Sequence, residues 1–168
     1  MIAFVDVDYR QEQAAAACVL SSDWGDEAPV RELVERVRGV EPYVPGQFYK
    51  RELPCLLAVL AKAGGPIDAV VIDGYVWLGE GRPGLGGHLY ESLGGKVPVV
   101  GVAKTRFLSA TRAVAVVRGG SSTKPLFVTA AGVAVEDAAA RVRGMHGPHR
   151  IPTLLKRVDA LCRGAAFS

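Results

Sequence analysis

Val70 to Leu93 read VVIDGYVWLGEGRPGLGGHLYESL, and the fold turns on how this stretch begins. Three apolar residues, Asp73 and Gly74 describe a buried strand that ends in a carboxylate, where charge is costly to hold. Glycines follow, and LGGHLYESLGG (85–95) then has the makings of a short helix. In α/β sheets ligands gather beyond the carboxyl ends of strands, so an acid there is a candidate for chemistry. The glycines do not spell a dinucleotide fingerprint, which places GxGxxG directly after a first strand. They predict a flexible loop through which a bulky ligand reaches backbone N–H groups.

Working outward, IAFVDVDY (2–9) is a second apolar run with acids at its end, Asp6 and Asp8. AAAACVLSS (14–22) suits either the return strand of a hairpin or a helix. VRELVERVRGV (30–40) is equally open, with helical spacing at Val30, Leu33, Val34 and Val37 and strand spacing at Leu33, Glu35 and Val37. EPYVPG (41–46) is a turn. RELPCLLAVLAKAGG (51–65) predicts a helix with Leu53, Leu56, Leu57 and Leu60 on one side, Pro54 within its first turn and Gly64-Gly65 at its end. KVPVVGVA (96–103) is a strand. RAVAVV (112–117) and KPLFVT (124–129) are extended runs split by the turn RGGSS (118–122). VEDAAARVRG (135–144) and IPTLLKRVDALCR (151–163) are helices. Early strands followed by alternating strand and helix predict one α/β domain over residues 1–168, a mixed sheet flanked by helices.

The 168 residues suffice for one well-buried domain. A net charge of +3 permits a nucleic-acid partner without demanding one. Cys18, Cys55 and Cys162 are far apart and form no CxxC, which points to a reducing, cytoplasmic setting. No apolar run approaches the roughly 20 residues of a membrane helix, and the strand that starts after Met1 leaves no room for a leader, so no membrane partner is expected.

If the strands carrying Asp6 and Asp73 are neighbours, their carboxylates lie close and must share a proton or bind a cation. Oxygen-only ligation favours a hard ion such as Mg²⁺. Glu52, at the start of a helix, can complete the set, and Lys104 in GVAKTRF can steady a phosphate. Against this stands the ordinary use of a strand-end aspartate as a cap or turn residue, and Asp8 competes with Asp6 from the same side of its strand. His88 reads as a helix-packing residue, and His146 and His149 as loop residues.

Several segments together resemble the endonuclease V family, nucleases that nick strands near deaminated adenine: VDVDY, PYVPGQFYKRE, VVIDG, RPGLGGHL and VPVVGVAKTRF, in the family's order over roughly residues 1–107, with weaker echoes in KPLFVT and RIPTLLKRVDALC. The resemblance implies a ribonuclease H-like fold, a mixed five- to seven-stranded sheet with helices on both faces, in which ELVERVRGV is the third of three antiparallel strands and parallel strands follow. It implies Asp6, Glu52 and Asp73 as ligands of Mg²⁺, with Mn²⁺ able to replace it, and Lys104 facing the phosphate. Tyr43 to Gly46, including Pro45, become a wedge between bases, and a pocket edged by Gly74 and Tyr75 receives the displaced base. The implied partner is DNA or RNA containing deoxyinosine or inosine.

The sequence also departs from the family pattern. The usual DGxGxxHPR is DGYVWLGEGR here, which sets Gly79 at the histidine. VTAAG stands for VSPGH, which sets Ala131 or Gly132 at a second histidine on the metal side. The chain is shorter than typical members, and His146 or His149 is a candidate substitute. Three functions follow: a metal-dependent endonuclease, a relative that binds nucleic acid without turning it over, and an acid cluster turned to another phosphorylated substrate. Lys50, Arg51, Arg82, Lys104, Arg106, Arg150, Lys156 and Arg157 are the candidate phosphate contacts.

Overall fold

A computed structural model describes residues 1–40, 42–120 and 122–165, so Glu41 of the EPYVPG turn and Ser121 of the RGGSS turn lie outside the described residues. The chain opens with β1 (Ile2–Arg10), β2 (Gln13–Ser21) and β3 (Arg31–Arg38), paired antiparallel in that order. Both ambiguous segments are therefore strands. Ala14 to Ala17 are fully buried in β2, and helices pack on both of its faces, a closeness that small side chains permit. In β3 the helical spacing yields to pairing. Leu33 and Val37 pack into one core and Val34 into the other, while exposed Arg31, Arg36 and Arg38 discourage further pairing along this edge.

Next come α1 (Tyr49–Ala61), β4 (Ala69–Asp73), β5 (Trp77–Gly79), β6 (Arg82–Pro83), α2 (Leu85–Ser92), β7 (Val99–Ala103), β8 (Val114–Val116), β9 (Leu126–Ala131), α3 (Val135–Arg143) and α4 (Thr153–Arg163). The main sheet runs β3-β2-β1-β4-β7-β9-β8, with β4 parallel to β1 and β7 parallel to β4. This is the mixed sheet of a ribonuclease H-like fold. The expected parallel run stops at β7, because β9 pairs antiparallel to it and β8 antiparallel to β9. Leu56, Val59, Leu60, Leu85 and Leu89 of α1 and α2 cover one face, and Ala138, Val142, Leu154, Leu155 and Val158 of α3 and α4 cover the other. Among the described residues, no helix is long and apolar enough to cross a membrane.

Two expectations are corrected. The first helix begins at Tyr49, so Pro54 is its sixth residue and lies beyond the first turn. Its ring is exposed, as is Lys50, whose carbonyl lacks the usual amide partner and can reach water. The glycine-rich segment after Asp73 is not a loose loop, for β5 and β6 pair as a small hairpin. Its base is fixed by the Gly74 N–H, which donates to the Val102 carbonyl at 3.0 Å, and by the Val76 N–H, which donates to the buried Thr129 hydroxyl at 2.8 Å.

Gly101 makes that contact possible. A Cβ there would stand 2.5 Å from the Gly74 carbonyl oxygen and 2.9 Å from Thr129 Oγ1. Backbone on one side and a central strand on the other leave little room to yield. Gly101→Ala is therefore expected to lower unfolding stability by about 1–3 kcal/mol, measured by urea denaturation, with loss of amide protection at Gly74 and Val76.

Candidate functional site

Strand alternation builds the site. Ile2 and Phe4 face the α3–α4 layer, so Asp6 does too; Ala69 and Val71 put Asp73 on the same side, and Val100 and Val102 do so for Lys104. Pairing of Phe4 with Val71 and of Asp73 with Val102 brings these tips together at the carboxyl edge of the parallel strands. A pocket opens there against α4, lined by Asp6, Asp73, Lys104 and Asp159 over Val102, Leu126, Leu155 and Val158.

Asp159 is the acid that the sequence reading missed. Leu155, Val158 and Cys162 are buried at helical spacing, and Asp159 occupies a position of that same stripe. A carboxylate on the buried stripe of an amphipathic helix was the available signal. Ligand atoms of Asp6, Asp159 and Cys162 all lie within 4.8 Å of one another, the one such triple among the described residues. Burial, reinforced by Asp6, Asp159 and Asp8, pushes the Cys162 thiol up to about 12, and its sulfur bonds the Asp159 carbonyl at 3.2 Å.

Glu52 approaches from the opposite layer, on the first turn of α1. Burial pushes its carboxyl up to about 7, and repulsion from Asp6 and then Asp73 adds to the shift, with Arg51 opposing it. Burial likewise lifts Asp6 to about 6 despite the Val7 N–H bond to its Oδ1 at 2.9 Å, with Asp73 and Asp159 adding and Lys104 opposing. Asp73 is half-exposed and accepts a hydrogen bond from Lys104 Nζ at 2.8 Å. Burial works against the Lys104 ammonium, but Asp73, Asp159 and Asp6 outweigh it and its pKa rises. Asp8 sits further along β1, bonded to Arg10 at 3.4 Å.

The remaining expected residues lie outside the lining of that pocket. Tyr43 and Val44 are exposed apolar side chains at 59% and 47%, followed by exposed Pro45 and Gly46. The Gln47 N–H closes this turn on the Val44 carbonyl at 2.9 Å. Gly74, at φ 130°, leads into Tyr75, whose hydroxyl donates to the Thr105 carbonyl at 2.7 Å and accepts from the Phe107 N–H at 3.0 Å. His88 stacks on Tyr49 with ring centroids 3.7 Å apart, as a packing residue should.

No histidine lines the pocket. His146 bonds Thr153 Oγ1 at 2.9 Å and faces Glu27, and the His149 carbonyl accepts from Arg118. Ala131 pairs with Val99, at the end of β7 away from Lys104. Because β9 runs antiparallel to β7, positions 131 and 132 lie at the opposite edge of the sheet and cannot serve the carboxylates. Gly79 lies in the small hairpin, not among the pocket residues. Arg157 is spoken for by Glu32, at 2.5 and 2.8 Å.

The family model for endonuclease V matches residues 1–115. Endonuclease V of Streptomyces coelicolor is 36% identical over 96% of this chain and 77% of its own length. That of Pyrococcus horikoshii is 29% identical over 99% and 74%. The crystal structure of endonuclease V from Streptomyces avermitilis superposes with a TM-score of 0.81 at 31% identity, covering 97% of this chain and 79% of that one. The Ciona intestinalis enzyme, solved with a 24mer DNA containing an inosine followed by a ribo-adenosine, has the same fold (TM-score 0.79, 23% identity, 97% and 84% covered). The chain belongs to the endonuclease V family.

The raised carboxyls make stability depend on pH. Asp6 and Glu52 hold protons more tightly folded than unfolded, so without divalent cation stability falls as pH rises from about 4 to 7. Asp6→Asn removes one of these charges while keeping an acceptor for Val7. It should be the more stable protein at pH 8, by about 1–3 kcal/mol, and near wild type at pH 4. Thermal melts at both pH values in chelator check this, and a destabilised Asn variant at pH 8 contradicts it.

Proposed function

We propose, from this chain's place in the endonuclease V family, that it is a Mg²⁺-dependent endonuclease hydrolysing a phosphodiester near a deaminated base, deoxyinosine in DNA or inosine in RNA. One observation carries the reading: Asp6, Asp73 and Asp159 line a single pocket with Lys104, and Glu52 is coupled to them from the other layer. The donors suit a hard divalent cation, since Asp6 and Glu52 are held above the ordinary carboxylate range by burial and mutual repulsion, a cost that a cation relieves. Asp6, Asp73 and Asp159 would hold it, Glu52 would complete the set, and Mn²⁺ would replace Mg²⁺. When bound, the ion supplies Lewis acidity toward water and the phosphate oxygens.

The chain's own groups do the rest. Lys104, kept protonated by Asp73, presents an ammonium to the charge that develops on the phosphate. Glu52, close enough to feel the charges of Asp6 and Asp73, would orient an attacking water through its carboxylate oxygen. Tyr43 and Pro45 are exposed and would act as a wedge that fills the gap left by a displaced base, whose extrusion costs a few kcal/mol. Gly74 and Tyr75 border the place where that base would go. Asp159 in the pocket favours turnover over the binding-only alternative, since it adds a carboxylate that could hold the cation without either histidine.

Labelled oligonucleotides bearing one inosine, as DNA and as RNA, test the proposal in Mg²⁺ or Mn²⁺. Wild type should nick near the inosine. Asp73→Ala and Asp159→Ala should each lose about two orders of magnitude or more in rate while melting normally. Nicking by wild type in chelator, or undiminished nicking by Asp73→Ala, would refute it.

A further inference from the structure

We propose that Arg150 is a positioning residue for this hydrolysis, acting through Lys104, an inference that rests on the reading above. Residues 144–152, which join α3 to α4, form a strap pinned from the end of β8. Arg118 donates to the carbonyls of Met145, Gly147, His149 and Arg150, the second at 3.1 Å and the last at 3.5 Å. Gly120 closes the same contact, since a Cβ there would fall 2.0 Å from the Pro148 carbonyl oxygen. From this fixed base Arg150 reaches over the sheet edge and donates to the carbonyls of Lys104 and Pro125, the latter at 2.8 Å.

What it holds matters. β7 ends at Ala103, so Lys104 is the first residue past the ladder, and its backbone direction decides where the ammonium points. The two carbonyls lie just past the end of β7 and just before the start of β9, the strands flanking the pocket on that side. Arg150 itself lies three residues before α4, the helix that carries Asp159 into the pocket. One guanidinium therefore ties the lysine to the start of the helix bearing the opposing acid. Both bonds leave one terminal nitrogen of the planar guanidinium, whose two N–H groups diverge at a fixed angle, which an ammonium on a flexible stem reproduces poorly. Among the described residues no carboxylate is bonded to Arg150, so an ion pair is not its purpose.

The test is a double-mutant cycle on an inosine oligonucleotide, with wild type, Arg150→Gln, Lys104→Ala and the double variant. Arg150→Gln should lower kcat about 10- to 100-fold through misplacement of the ammonium. KM should stay within about threefold, and Arg150→Lys should recover part of the loss. Once Lys104 is alanine, Arg150→Gln should cost less than about twofold, because both substitutions remove the same contribution. Losses that multiply, or a loss carried by KM alone, overturn the proposal. If Arg150→Gln fails to fold, Arg150→Lys enters the same cycle with the same criterion. If wild type cleaves no inosine strand, the hydrolase reading fails, and amide exchange then decides the structural part. Residues 103–107 must exchange faster in Arg150→Gln while 69–73 stay protected, and unchanged exchange at 103–107 overturns it.

Discussion

Four carboxylates and a single ammonium meet at the carboxyl edge of the parallel strands, and the surrounding structure is arranged to tolerate that imbalance. Lys104 answers Asp73, and because both groups are substantially exposed this pair adds little to stability. Asp6 has one backbone N–H and Glu52 has the neighbouring charge of Arg51, neither of which offsets the burial that lifts their carboxyls. Removing such charges from water costs several kcal/mol each unless something compensates. The fold meets that cost elsewhere, with two apolar layers of helices clamped on a sheet whose central strands are buried throughout.

That sheet also sets where the acids can be. Parallel pairing of β1, β4 and β7 lines up three strand ends, and alternation turns Asp6, Asp73 and Lys104 toward α4. Glu52 comes from the other layer because α1 starts directly after the exposed rim turn, at the same edge of the sheet. Asp159 is delivered by a helix that packs across β1 and β2, close enough only because β2 is built of alanines. Each acid thus depends on a different feature: strand register, the entry point of a helix, or the small side chains beneath another helix.

This explains what could be read without coordinates. The apolar runs ending in Asp6, Asp73 and Lys104 announce strands and strand ends through local patterning, so the sheet and the meeting of three candidate site residues were legible. Glu52 was legible through its motif, since nothing local tells a helix-starting glutamate to face a pocket. Asp159 was missed although it shares the apolar stripe of Leu155, Val158 and Cys162, because the stripe does not say what its carboxylate meets until α4 is docked. The supposed second histidine position was misplaced for a related reason. Counting along a strand gives a residue's face but not its end of the sheet, and the antiparallel run of β9 carries Ala131 away from the acids.

The rim shows how such a site is made ready before a ligand arrives. Tyr75 bonds both sides of the 105–107 turn, Ser109 Oγ donates to the Leu78 carbonyl at 2.7 Å, and Arg150 holds Lys104 and Pro125. These bonds tie the segment after β7 to Tyr75, to the small hairpin and to the strap before α4, and all end on backbone atoms, so they constrain chain direction more than they add stability. Ordering a loop on binding costs conformational entropy that must be drawn from the interaction with the ligand. Here the hairpin base is ordered by folding itself, against Gly101 and Thr129 beneath it, and the turn after Lys104 is bonded in turn to Tyr75 and Leu78. Among the described residues, the exposed apolar turn at 43–46 shows one bond, from the Gln47 N–H to the Val44 carbonyl. That turn is therefore held by fewer bonds than the segments around Lys104, which are tied from three directions.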